Sequence, residues 1–306
     1  MTKQSPTIVF FGNERLATGV TTDCLTFKSL LKAGYNIASL ILHDEGSSGR
    51  KKRLPEIAQV ATDNGVPIIY VHKLKEVEDQ IKALNAEAAV LVAFGKIIPQ
   101  STIDLFPKGI INIHPSKLPE HRGPTPLESI ILSGQPETAI SIMQLTAAMD
   151  AGPVYIQRTL PVPSKITKQE LVNVVSKLSS EMLVQHLPAI LDGSLQPQTQ
   201  NHDLATYDQL LTKTSGLVDW TKPAAVLERE VRAYAGWPKS QAQIGNQQVI
   251  LTECDVINTS LKPSEIVATK KELTVGCGQD SLKILKLQPV NKKEMPIQAF
   301  LSGYSL

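Results

Sequence analysis

The first half of the chain alternates short apolar runs with helix-period segments, and that alternation leaves few folds open. TIVFFG (7–12), NIASLIL (36–42), VPIIYV (66–71) and AAVLVAFG (88–95) are separated by amphipathic stretches at roughly 22–34, 54–64 and 74–84. Strands joined by helices of that length run parallel, and continuous apolar runs mark strands covered on both faces. The pattern predicts an α/β fold built on an open, parallel-type sheet.

In such sheets ligands collect beyond the carboxyl ends of the strands. GIINIHPS (109–116) therefore draws attention, because a run with the β-branched residues of a buried strand ends in two polar side chains. Asn112 and His114 are two residues apart and share one face of the strand. A single Asn, His or Asp at a strand end is ordinarily a turn or cap residue. Here Asp150, in AMDAG (148–152), follows a second apolar strand, TAISIMQL (138–145), and adds a carboxylate to the pair. An amide donor, an imidazole and a carboxylate suit attack of an amine on a carbonyl carbon, which needs an oxyanion stabilised and a proton removed from nitrogen.

Beyond a return strand, VYIQRTL (154–160), a helix is expected from Thr167 to Leu191, ending at Asp192-Gly193-Ser194. We expect a first domain over 1–193, a polar linker over 194–206, and a second domain over 207–306. The second opens with helical segments around 207–214 and 223–235 and continues in short β-like runs spaced by turn residues, the pattern of a small barrel or compact sheet. With 306 residues, two cores are the default. The composition, 42% hydrophobic and 20% charged, is that of a globular protein, and a formal charge of +2 leaves any attraction to nucleic acid to local patches. Three cysteines without close spacing, an N-terminus that runs straight into a strand, and the lack of a long apolar run lead us to expect a cytoplasmic protein with no membrane segment.

The residues from Asn112 onward, NIHPSKLPEHRGPTP, followed by MDAG at 149–152, resemble the formyltransferases that use 10-formyltetrahydrofolate. The resemblance extends over nearly the whole chain through LVAFGKIIPQ (91–100), VDW (218–220), VRA (231–233) with GWP (236–238), and LQP (287–289) with KKEM (292–295) and FLSG (300–303). These elements are most similar to the members acting on methionyl initiator tRNA in translation initiation. The resemblance implies a Rossmann-like catalytic domain followed by an OB-like barrel, with Asn112, His114 and Asp150 as the catalytic residues. It places Phe94, Gly95, Ile97, Ser116, Leu118, Pro119 and Met149 at the folate-binding site. Initiator methionyl-tRNA is the implied partner, with no obligate protein partner and a monomer expected.

Arg50, Lys51, Lys52 and Arg53 form a basic run beyond the second strand. Such runs are usually solvated faces, but this one lies where the site is expected, and the resemblance implies contact with the tRNA acceptor stem. Lys292 and Lys293 are either solvated or on the tRNA path. The first turn, Gly12 to Ala17, lacks the Thr-Pro and aromatic usual in the family. His121 has no second ligand at metal-like spacing, so we expect no metal and read it as a surface or substrate-edge histidine. Trp220 and Trp237 read as packing anchors in preference to base-stacking platforms. Two other functions remain open: formylation of an amino sugar nucleotide, and RNA binding without catalysis.

Overall fold

The computed structural model describes residues 6–43 and 55–305. Its first sheet contains β1 (Thr7–Phe11), β2 (Asn36–His43), β3 (Ile68–Val71), β4 (Ala88–Leu91), β5 (Ile110–His114), β6 (Glu137–Gln144) and β7 (Val154–Pro161) in the order β3-β2-β1-β4-β5-β6-β7. β1 to β5 pair in parallel, whereas β6 and β7 add antiparallel strands at one edge. Every residue of β4 and β5 is buried, as the apolar runs predict. One face carries α1 (Leu25–Lys32), α2 (Glu56–Asp63), α5 (Pro126–Ser133) and α6 (Lys168–Leu191), which pack onto Phe10, Val90, Ile111 and Ile113. The other carries α3 (Glu78–Lys82) and α4 (Gln100–Ile103) over Val9, Phe11, Leu91 and Ile110.

The long helix starts where the sequence places it. Thr167 Oγ1 accepts from Glu170 N and Thr167 N donates to Glu170 Oε2, so a capping box satisfies two backbone donors of the first turn. The second half of the chain contributes α7 (Ala224–Ala233) and a second, antiparallel sheet. Its strands β8 (Ser240–Ile244), β9 (Gln247–Ile257), β10 (Ile266–Ala268), β11 (Leu273–Gly276) and β12 (Ser281–Pro289) lie in the order β10-β11-β12-β9-β8, with β13 (Met295–Pro296) on β12. Register shifts near Lys286 bend β12 against β9, and α7 and α8 (Ile297–Gly303) close the curled sheet over its own core. This is the OB-like barrel that the resemblance implies. Trp220 packs against that core, whereas Trp237 remains 37% exposed.

Two segments depart from the sequence expectation. Residues 207–214 carry no α-helix, although Tyr207, Leu210, Leu211 and Thr214 have helical spacing. The chain is drawn out instead because Arg122 and Tyr207 form a parallel bridge: Arg122 N donates to Thr206 O and Asp208 N to Arg122 O. The polar stretch before it also packs on the first domain, since Val154 and Gln198 exchange both backbone hydrogen bonds at 2.8 Å. Nor does His121 lie on the surface: its ring is 12% exposed and its Nδ1 lies 3.1 Å from Asp208 Oδ1.

The two halves meet on a buried ammonium. Lys168 is 0% exposed; its Nζ donates to Thr18 O (2.9 Å) and Trp237 O (3.1 Å) and lies 3.4 Å from Glu128 Oε1. The loop after β1, the start of α5 and the GWP turn of the second half thus converge on one charge. Removing one member of a buried ion pair strands the other, at a cost of about 3–5 kcal/mol. We expect Lys168→Ala to lose about 3 kcal/mol by chemical denaturation and the double variant Lys168→Met with Glu128→Leu to recover most of it. A single-variant loss under about 1 kcal/mol would show that the charge is not sealed.

The His121–Asp208 pair adds a pH-dependent tie. The hydrogen bond to Asp208 holds the His121 pKa above its ordinary value, against the opposing effect of burial. A raised cationic pKa stabilises the fold fully below the unfolded value, about 6.5, and the contribution disappears as pH rises through the folded value. The stability difference between the native chain and Asp208→Asn should therefore be largest in mild acid and shrink in alkali. A difference that does not vary with pH would contradict the pairing.

Candidate active site

β1 lies between β2 and β4, so the chain leaves β1 at the point where the sheet order reverses, and the crevice beyond this point is where ligands of open α/β sheets bind. The carboxyl end of β5 faces the same edge. Ile110 packs in the α3–α4 core, and the alternation of the strand puts Asn112 and His114 on that same face but one and two steps closer to the edge. Asn112 lies opposite Leu91 and Met143, and His114 opposite Ser141. Asn112 is 5% exposed, yet its amide makes no hydrogen bond to any described residue and is not sealed from solvent. A buried donor with no partner of its own is available for a ligand.

The turn between β6 and β7 brings Asp150 to His114, with 3.7 Å between Nδ1 and Oδ1 and side-chain exposures of 6% and 15%. On the other side of the ring, Nε2 lies 2.8 Å from His121 O. A carbonyl only accepts, so Nε2 bears a proton and Nδ1 is the atom turned toward the carboxylate. Asp150 Oδ2 accepts from Gly123 N at 2.8 Å. The backbone of Asp150 is left-handed, φ 46, a conformation that costs a non-glycine residue about 1–3 kcal/mol and must be held by its surroundings. Two glycines make the approach possible. A Cβ on Gly152 would lie 1.9 Å from Gln144 O, and one on Gly123, at φ 120, 2.7 Å from Asp208 O.

The loop after β5 is braced against the β6–β7 hairpin. Ser116, fully buried, donates to Glu120 O (2.6 Å), and Ser141 Oγ donates to Ser116 O (2.6 Å). Leu118 is buried, and its carbonyl accepts from Gln157 Nε2. Among the other residues expected at the donor site, Phe94 is buried edge-on against Phe11, Gly95 takes a left-handed turn with φ 74, Pro119 is half-buried, and Ile97 and Met149 are exposed by 80% and 53%. The basic run 50–53 lies outside the described residues. Lys292 and Lys293 are exposed in the turn after β12.

Several residues at this edge escape a sequence reading. Glu14, 2% exposed in the unusual first turn, accepts from Thr26 N (3.0 Å) and Phe27 N (2.6 Å) and so satisfies the start of α1, while burial pushes its carboxyl up to about 7. Arg122 is 1% exposed, and Gln200, from the polar stretch, bonds both to it and to the Asp150 turn. The arginine is visible in the motif, but nothing about Gln200 separates it from its polar neighbours. A cavity of about 630 Å³ lies away from this edge, between α5, α7 and the barrel. Within its lining Lys165 and Arg232 both pair with Glu228, and Lys165 also with Asp255. Among the described residues no group of three His, Cys, Asp or Glu could hold a metal ion, and no helix is long and apolar enough to cross a membrane.

Residues 31–187 match the Formyl transferase family and residues 210–305 the Formyl transferase, C-terminal domain family. The methionyl-tRNA formyltransferase of Trichlorobacter lovleyi is 31% identical over 304 residues, covering 98% of this chain and 94% of the relative. Among solved structures, HypX from Aquifex aeolicus in complex with tetrahydrofolic acid superposes with a TM-score of 0.66 at 15% identity, over 98% of this chain and 47% of that one. The N-formyltransferase from Helicobacter canadensis, bound to folinic acid and dTDP-3-aminofucose, superposes with a TM-score of 0.66 at 14% identity, over 92% and 98% of the two chains. These two likenesses concern the fold, whereas the sequence match runs through both halves of the chain and is carried by a relative of nearly equal length. The chain belongs to the formyl transferase family, among the methionyl-tRNA formyltransferases.

Proposed function

We propose that this protein transfers the formyl group of 10-formyltetrahydrofolate to the free amino group of methionyl initiator tRNA, acting as a monomer in the cytoplasm. The observation that carries the reading is the convergence of Asn112, His114 and Asp150 at the carboxyl edge of a chain that matches such enzymes from end to end. The donor supplies a formyl carbon whose bond to a folate nitrogen breaks as the bond to the amine forms, so that the folate leaves as tetrahydrofolate with a proton on that nitrogen. Asn112, whose amide has no hydrogen-bond partner among the described residues, donates to the oxygen on which negative charge develops as the amine attacks. His114 takes the proton leaving the attacking nitrogen or helps to hold the oxygen. Asp150 fixes the ring's orientation and stabilises the positive charge that it gains. Phe94, Gly95, Ile97, Ser116, Leu118, Pro119 and Met149 border the donor site, with Ser116 acting through the loop that its hydroxyl braces.

On this reading Arg50 to Arg53 grip tRNA phosphates, with Lys292 and Lys293 as further contacts. Phosphate contacts give affinity without sequence information and weaken steeply with salt.

Two measurements test the reading. Formyl transfer from 10-formyltetrahydrofolate should be strong to methionylated initiator tRNA, much weaker to elongator Met-tRNA, and undetectable to an amino sugar nucleotide. Transfer to the sugar alone would keep the chemistry and overturn the acceptor, and no transfer to any amine would return the chain to RNA binding without catalysis. Replacing Arg50 to Arg53 with serine should raise KM for tRNA about tenfold at moderate salt, flatten the salt dependence, and leave KM for the donor unchanged. Unaltered tRNA kinetics would remove the basic run from the interface.

A further inference from the structure

We infer that Gln200 is a positioning residue for Asp150 and that the buried guanidinium of Arg122 acts through it; the inference rests on the catalytic reading above. The Asp150 turn needs outside support for two reasons. Its backbone is left-handed at a non-glycine residue, and the carbonyls of Asp150 and Gly152 accept from no backbone N–H among the described residues. Gln200 Nε2 supplies that support twice, donating to Asp150 O at 2.8 Å and to Gly152 O at 2.6 Å. The residue is 8% exposed, so water is a poor substitute for these bonds.

Arg122 fixes which way the amide faces. Its Nε and Nη2 donate to Gln200 Oε1 at 3.2 and 2.7 Å, while Nη1 donates to Tyr207 OH and Nη2 to His202 Nδ1. A primary amide has two N–H donors and one oxygen with two lone pairs, and here all four are used. With two donors on one side and two acceptors on the other, a flipped amide would oppose like groups at every contact. Arg122 is 1% exposed, has no carboxylate partner among these contacts, and lies with its ring neighbour Tyr207 5.6 Å from the guanidinium carbon. A buried cation satisfied by neutral groups is a costly arrangement to retain for packing alone.

The peptide units flanking Arg122 reach the other two groups. His121 O accepts from His114 Nε2, and Gly123 N donates to Asp150 Oδ2. The backbone at 121–123 thus holds the imidazole and the carboxylate, and the side chain at 122, through Gln200, holds the main chain that carries the carboxylate. A shift of one ångström in such a group can cost about a hundredfold in rate. Displacing the Gln200 amide should therefore move Asp150 relative to His114 without touching either substrate.

Gln200→Glu is the sharp variant, because it is isosteric and still accepts from Arg122 but sets an oxygen against the carbonyls of Asp150 and Gly152. Measured with 10-formyltetrahydrofolate and methionylated initiator tRNA, it should lower kcat about tenfold or more while both KM values stay within about threefold. In an Asp150→Ala background the same change should alter kcat by less than about twofold, because its route to the chemistry is already gone. Wild-type kcat in Gln200→Glu, or its full loss multiplied onto that of Asp150→Ala, would overturn the inference. If Gln200→Glu does not fold, Gln200→Met, which removes the donors without adding charge, runs the same cycle with the same criteria. A native enzyme that formylates no amine would count against the function itself, whereas an active enzyme with a multiplicative cycle would count against Gln200 alone.

Discussion

A strand buried on both faces has its side chains fixed by the layers packed against it. β4 and β5 meet that condition along their whole length, and toward the carboxyl end of β5 one face changes from Ile110 to the Asn112 amide and then the His114 imidazole. Everything else at the site is arranged around those two fixed points. The strand cannot slide to reposition them, because a shift of one residue would turn Ile111 and Ile113 out of the core that α5 and α6 build over them. Asp150 therefore has to be brought to the strand, and it arrives on a turn held in an unfavourable backbone conformation.

That requirement explains the polar density of the loop after β5. Ser116, Ser141 and Gln157 brace its first half, and the bonds from His121 O and Gly123 N brace its second. The stretch around 198–209 then wraps the outside of this loop, so that Gln200, Tyr207 and Asp208 complete contacts begun by Arg122 and His121. A segment that connects two domains in sequence is, in space, part of the wall of the site. The second domain is fixed separately, through Lys168 and the Trp237 carbonyl and through Arg229 and Arg232, which donate to Leu132 O and Ile166 O. Orientation of the barrel and geometry of the reacting edge thus rest on different buried charges.

What the sequence reveals follows from the range of the interactions. The alternating apolar runs reveal the sheet because burial on two faces needs nothing beyond local composition, and the capping box at Thr167 reveals the start of α6 because it is closed within four residues. Asn112, His114 and Asp150 are legible as a motif, and the structure adds the Nε2 bond to the His121 carbonyl and the 3.7 Å contact with Asp150. The helix expected at 207–214 fails for a long-range reason: Leu210 and Leu211 have helical spacing, but the backbone of Arg122, some eighty residues earlier, captures the strand-like hydrogen bonds of Thr206 and Asp208. Gln200 is silent for the same reason, since its four bonds all go to residues distant in sequence. Lys168 reads as one more helix-surface lysine until Glu128, Thr18 and Trp237 are seen to close around it.

On the proposed function, the imidazole at the end of β5 takes part in the transfer and does not merely finish a strand. The direct measurement is the single-turnover rate of formyl transfer by a folded His114→Ala variant, with both substrates bound to saturation so that affinity does not enter. A participating imidazole gives a fall of more than about tenfold, with the donor still bound at near-native affinity. A single-turnover rate close to that of the native enzyme would contradict it and leave His114 as a structural residue.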